Sequence, residues 1–387
     1  MAYDEWYTLG QRVRRLLDGG EGGGGLQVGA RVGGGALAGP YGAGWPEIAP
    51  NSAGVVGMFN QAARLRPGHL LVVYLARNAV YQVDPDSGTI TYLFTLGHEQ
   101  NPFLWRVLAD REGRIYCTLS GVRSPTSPTR DAVFGMAGVV VRVNLHLGEV
   151  EALAVGDELV DPCGMSLLDD ARLLVSDFAG FGDTGAVYTV DRVTGELRTV
   201  ARGGLLVEPV STIMDPDGVL WVANSHMHYH YPHRGGVLEK DDGEVLRIDP
   251  DGRQTVVVPR QSPAAGSVVG IHPADDPDYV IAVKGDWPVM ESGAVLRVHK
   301  ASGKVETLLS ASREEPRFYS THVGLSGSIL WVGETYRKEL LAYDLCEGRV
   351  VHTIDMSRLM GPYEGVSSSF EGLESVSVVP LDLREQP

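Results

Sequence analysis

Hydrophobic positions along this chain seldom recur at helical spacing. From about Asn51 onward they come as short alternating runs separated by turns rich in Asp, Pro and Gly, the pattern of strands joined by tight connections. One piece repeats. AVYQVDPDSGTITYLFTL from Ala79, GVVVRVNLHLGEVEALAV from Gly138 and GAVYTVDRVTGELRTVA from Gly185 each give an alternating run, a polar turn and a second run. GEVLRIDPDGRQTVVV from Gly243, GAVLRVHKASGKVETLL from Gly293 and ELLAYDLCEGRVVHTID from Glu339 do the same. Each predicts a hairpin whose turn closes on a glycine: Gly88, Gly148, Gly195, Gly252, Gly303 or Gly348.

A further strand pair precedes each hairpin. Its second, more apolar member reads LLVVYLA from Leu70, RIYCTLS from Arg114, RLLVSDF from Arg172, VLWVANS from Val219, YVIAVKG from Tyr279 and ILWVGET from Ile329. Four strands per unit, recurring at roughly 45 to 60 residues, predict an all-β fold, a six-bladed β-propeller over residues 51–387. FEGLESVSVVPL from Phe370 reads as an orphan strand that closes the ring on the blade begun near Asn51. Residues 1–50 form a separate segment. Trp6, Leu9, Val13, Leu16 and Leu17 predict a short N-terminal helix over residues 3–18. Gly19 to Gly44 is a glycine-rich connector. If that connector supplies strands, seven blades are the alternative.

Composition narrows the partners. With 387 residues and a formal net charge of −16, the chain would be repelled by phosphate backbones and anionic lipid, so neither nucleic acid nor membrane is an expected partner. No run reaches the ~18 apolar residues of a membrane span. The first twenty residues lack the apolar core of a secretory signal. Three widely spaced cysteines suggest no disulfide framework. The expected setting is cytoplasmic, and composition leaves the oligomeric state open.

The recurring DPDGVLWVANS pattern resembles the six-bladed propeller superfamily that includes gluconolactonase/senescence-marker-like, strictosidine synthase-like and NHL-repeat-like proteins. The resemblance covers about Asn51 to Leu381. It implies a ligand site at the top of the central channel. In gluconolactonase-like members that site holds a divalent metal on acidic or amide side chains near the starts of innermost strands. Matching the units by eye places Asn60, Trp105, Cys163 and Val210 at equivalent inner positions. Val210 stands where those relatives carry Asp, and Cys163 where they carry Asn. Glu371-Gly372 resembles their Glu-Gly pair. A valine cannot ligate a hard cation, so no required cofactor is the first expectation. A divalent metal is the alternative, as in a metal-dependent lactonase or lyase.

Candidate chemistry clusters where the loops are long. Asp161, Glu208, His322 and Glu371 lie near strand starts. Asp177, Asn224, Lys284, Asp286 and Glu334 lie where second strands end, and Phe103, Trp105, Trp287 and Phe318 could wall a pocket. Aromatic walls with a few polar groups suit a small-molecule substrate or ligand. Residues 226–233, HMHYHYPH, hold four histidines in eight residues. His226, His228 and His230 alternate and could grip a metal. The same loop could instead be a flap that brings Tyr229 and Tyr231 to a substrate, or a surface loop without a role. The leading expectation is a small-molecule enzyme with acid–base chemistry, of hydrolase, lyase or condensing/cyclase type. Glu208, His322 and Glu371 would transfer protons. The alternative is a non-catalytic propeller that binds a protein or metabolite.

Overall fold

The computed structural model describes residues 38–39, 42–43, 55–75, 78–97, 103–122, 137–155, 158–178, 185–225, 244–259, 267–285, 372–384 and 293–357 apart from 316, 318 and 336. By backbone proximity the chain divides into Met1–Gly44 and Trp45–Pro387. In the first unit, Ala38–Gly39 pairs antiparallel with Gly42–Ala43. The helix expected over residues 3–18 lies outside the described residues.

The second unit is an all-β, six-bladed propeller. Blade two runs Phe103–Ala109, Ile115–Val122, Ala137–Asn144 and Glu149–Val155 from the channel outward. Blade three is Pro162–Leu167, Arg172–Asp177, Ala186–Asp191 and Leu197–Arg202. Blade four is Pro209–Met214, Leu220–Asn224, Glu244–Ile248 and Gln254–Val258. Blade five is Ser267–Pro273, Tyr279–Gly285, Ala294–His299 and Val305–Ser310. Blade six is Gly324–Ser326, Ile329–Glu334, Glu339–Asp344 and Arg349–Asp355.

Blade one closes the ring. Leu373–Val378 supplies its innermost strand, paired with Leu70–Tyr74, then Ala79–Val83 and Ile90–Gly97. The orphan strand thus lies where the sequence predicted. Val56–Phe59 adds a fifth strand at the outer edge of this blade. Asn60 follows that outer strand, so the inner position assigned to it by eye is wrong. The hydrophobic alternation of Val56–Phe59 suits either edge of a blade, and only pairing decides between them.

Each blade buries both faces. Leu70, Val72 and Tyr74 point into the cluster shared with blade six, while Leu71 and Val73 point into that shared with blade two. This is why Leu70–Tyr74 is buried at every position, whereas Arg349–Asp355 at an outer edge is almost wholly exposed. All six hairpin-turn glycines named above adopt positive φ, from 66° to 85°, a conformation that costs glycine little.

Side chains also stitch neighbouring blades together. Thr118 Oγ1 donates to the Cys163 carbonyl at 3.2 Å, Ser176 Oγ to Val210 at 2.9 Å and Ser211 Oγ to Ile271 at 3.1 Å. Gly164 sits so near this seam that a Cβ would meet the Val210 carbonyl oxygen at 2.5 Å.

Candidate functional site

The inner strands share a device at their upper ends. In each of five blades one residue is left out of the ladder: Trp105, Cys163, Val210, Val269 and Glu374. Such a bulge bends the strand and re-aims its side chain. In blade six the segment 320–322 takes the same place, between the Tyr319–Glu334 bridge and the Gly324–Trp331 pair. Trp105, Cys163, Val210 and Val269 come from four blades yet pack in one apolar cluster. Among the five bulged residues, Glu374 is the one acid in an otherwise apolar ring.

Glu374 is held from blade six. The Thr321 hydroxyl donates to its Oε1, and the His322 amide donates to its backbone carbonyl at 3.3 Å. The side chain is partly accessible, because it meets the channel, but protein surrounds the carboxyl and removes it from bulk water. Burial pushes its pKa up to about 8, opposed by the Thr321 bond. At neutral pH it is mostly a carboxylic acid. With Oε1 occupied as an acceptor, the other oxygen is left to carry the proton. Cys163, in the same ring, has its Sγ 3.6 Å from Asp161 Oδ1. Burial, with Asp161, Asp177 and Glu374 adding to it, keeps that thiol protonated.

Below this ring lies a polar floor. Arg106, one residue past Trp105, donates through Nε to the Met165 carbonyl at 3.2 Å. Its Nη1 donates to Ser375 Oγ at 3.0 Å and to the Val376 carbonyl at 2.9 Å. Burial lowers its pKa to about 9, which leaves it cationic. His272 and His322 meet edge to face at 5.6 Å. His272 Nε2 lies 3.2 Å from the Thr321 carbonyl. Burial, reinforced by Arg106, drives His272 down to about 3. His322 is held well below its ordinary value by burial, then by Arg106 and His272, against a weak opposing pull from the Cys163 carbonyl. Both rings are neutral at pH 7, and among the described residues neither His322 nitrogen completes a hydrogen bond.

The residues singled out from sequence divide into three groups. Asp161, Glu208 and His322 are buried around the mouth, together with the half-buried Trp105, whose indole donates to Ser120 Oγ at 2.7 Å. Phe103 stacks obliquely on Trp105 with ring centroids 5.9 Å apart, and Lys284 is buried at the end of its strand. Asp177, Asn224 and Glu334 anchor backbone. Asp177 accepts from the amides of Val160 and Asp161, and Asn224 from those of Val207 and Glu208. Glu334 accepts from Arg337 N at 2.6 Å. The remainder, His226, His228, His230, Tyr229, Tyr231, Asp286, Trp287, Phe318 and Glu371, lie outside the described residues. Among the described residues no group of three or more His, Cys, Asp or Glu is placed to hold a metal ion.

Sequence reasoning missed Glu374, Thr321, His272 and Arg106. The signal existed for Glu374: the match that linked Trp105, Cys163 and Val210 extends to it once the closing strand is counted into blade one.

No protein-family model matches the chain, and no curated protein matches it in sequence. Solved structures do match. The chain resembles one in the crystal structure of a nidogen/laminin complex with a TM-score of 0.56 and 14% identity, over 81% of this chain and 98% of that one. A protein of unknown function from Bacteroides caccae gives 0.52 and 13%, over 81% and 99%. The likeness is one of fold. At such identities a shared propeller says nothing about shared chemistry.

Proposed function

We propose that this protein is an enzyme that acts on a small organic molecule by general acid–base chemistry at the channel mouth, with Glu374 as the proton donor. The observation that carries this reading is a carboxyl kept protonated near neutral pH, with one oxygen fixed by Thr321, in a ring of Trp105, Cys163, Val210 and Val269. Enzymes raise carboxyl pKa values by burial for this purpose. Asp161, on the far side of Cys163, is the companion carboxyl. Glu374 takes the role that sequence gave to Glu371. Glu208 and His322 become parts of the wall.

The reaction belongs to the hydrolase, lyase or cyclase group. Of the related propellers, the metal-free strictosidine synthase-like members are the better guide. Among the described residues the bulge ring offers a hard cation one carboxyl oxygen donor, Glu374, and otherwise indole, thiol and alkyl groups.

The test is a panel of lactones, esters and hydroxy acids followed by NMR for turnover. For the substrate found, Glu374→Gln should lower kcat by roughly 10²–10⁴-fold while KM changes little. Wild-type rate should fall as pH rises through about 8, where the donor loses its proton. Wild-type turnover by Glu374→Gln would remove the reading. Binding without consumption of any panel member would favour a non-catalytic propeller.

A further inference from the structure

Among the described residues two arginines are buried, and they are treated differently. Arg192, under blades two and three, is paired with the Asp110 carboxylate, and its Nε donates to Tyr116 Oη at 3.0 Å. Arg106, in the channel, is 8% exposed and bonds two carbonyls and a hydroxyl. None of those acceptors carries charge. Its second amino group, Nη2, makes no hydrogen bond among the described residues. A buried cation without a counter-ion is costly, and guanidinium geometry suits a carboxylate held by two parallel bonds.

We propose that the molecule bound in this channel carries a carboxylate, and that Arg106 receives it. The inference rests on the channel mouth being the ligand site, as above. Position supports it. Arg106 follows Trp105 on one inner strand, and Ser375, its hydroxyl acceptor, follows Glu374 on another. A carboxylate on Arg106 therefore lies one residue deeper than the acid, with the rest of the molecule in the apolar ring. Charge supports it too. His272 and His322 are neutral and Glu374 is mostly protonated at pH 7, so none of these three repels an anion on Arg106, and the acids that remain around the mouth, Asp161 and Glu208, make no ion pair with it among the described residues. A substrate held by its carboxylate at the floor presents its neutral part to Glu374.

The test uses the full-length protein and sodium acetate, with acetamide as a neutral isostere and sodium chloride at equal ionic strength. Acetate should raise the melting temperature saturably, whereas acetamide and chloride should not. Arg106→Gln should abolish the acetate response and Glu374→Gln should keep it. An equal response to acetamide or chloride, or an acetate response that survives in Arg106→Gln, overturns the proposal. If Arg106→Gln does not fold, the ring signals of His272 and His322 in the wild-type protein decide the matter. They should shift with acetate and not with acetamide, and rings unmoved by acetate overturn the proposal. The two readings separate cleanly. Turnover that depends on Glu374 without an acetate effect removes this one alone. An acetate site without turnover removes the enzyme reading alone.

Discussion

Glu374 shows how one buried position can couple stability to pH. Its carboxyl binds a proton near pH 8 in the folded chain and near the ordinary glutamate value of 4.5 when unfolded. Between those values the folded state holds more protons than the unfolded state, so stability falls as pH rises from about 4.5 to about 8. Glu374→Gln removes the titration. Relative to wild type it should therefore gain stability between pH 5 and pH 9, by an amount on the order of a few kcal/mol. Urea unfolding of both proteins at the two pH values measures this. An unchanged difference between the proteins would mean that Glu374 titrates normally and is no acid at pH 7. The same residue marks what sequence could and could not say. Glu371 stood out because it forms a recognisable pair with Gly372. Glu374 stands in a plain strand, LESVSV, and only the bulge turns it toward the channel. A bulge is a matter of pairing between distant strands, so Leu373–Val378 alone does not reveal it.

At the scale of single elements, the sequence was far more legible. The hairpins lie where the alternation placed them, because two-residue periodicity and a turn glycine are local properties. The turns are not equivalent, however. Gly195 and Gly252 both have positive φ, 74° and 85°. A Cβ on Gly195 would land on the Leu153 carbonyl oxygen of the neighbouring blade, while one on Gly252 would meet nothing within 4 Å. Gly252→Ala should cost about 1 kcal/mol, for the backbone conformation alone. Gly195→Ala should cost a few kcal/mol, because the neighbouring backbone must move as well. Equal denaturation midpoints for the two variants would show that the blades pack less tightly there than the geometry requires. The polar floor was illegible for the converse reason. Arg106, His272 and His322 are far apart in sequence, and nothing local in FLWRVLA or SVVGIHP announces that they meet.

For the whole molecule, the decisive contact is the one that joins the ends of the ring. Leu373–Val378 pairs with Leu70–Tyr74, touches blade six through the His322–Ser375 bridge and accepts Arg106 from blade two. Val376 is completely buried within it, whereas Val350 on an outer strand is 36% exposed. Val376→Asp should cost several kcal/mol and broaden or abolish the cooperative transition, since it places an unpaired charge in the seam. Val350→Asp should stay within about 0.5 kcal/mol of wild type. Calorimetry of both variants checks this, and a cooperative, wild-type transition for Val376→Asp would mean that the ring holds without this strand. Synthesis gives the arrangement a further meaning. Five blades and the hydrophobic ring of Trp105, Cys163, Val210 and Val269 emerge from the ribosome before the strand that brings Glu374. A nascent or interrupted chain lacks the acid, so under the proposed function proton transfer would begin only when the last seam is seated. Folding to completion and competence for the proposed chemistry would then be a single event.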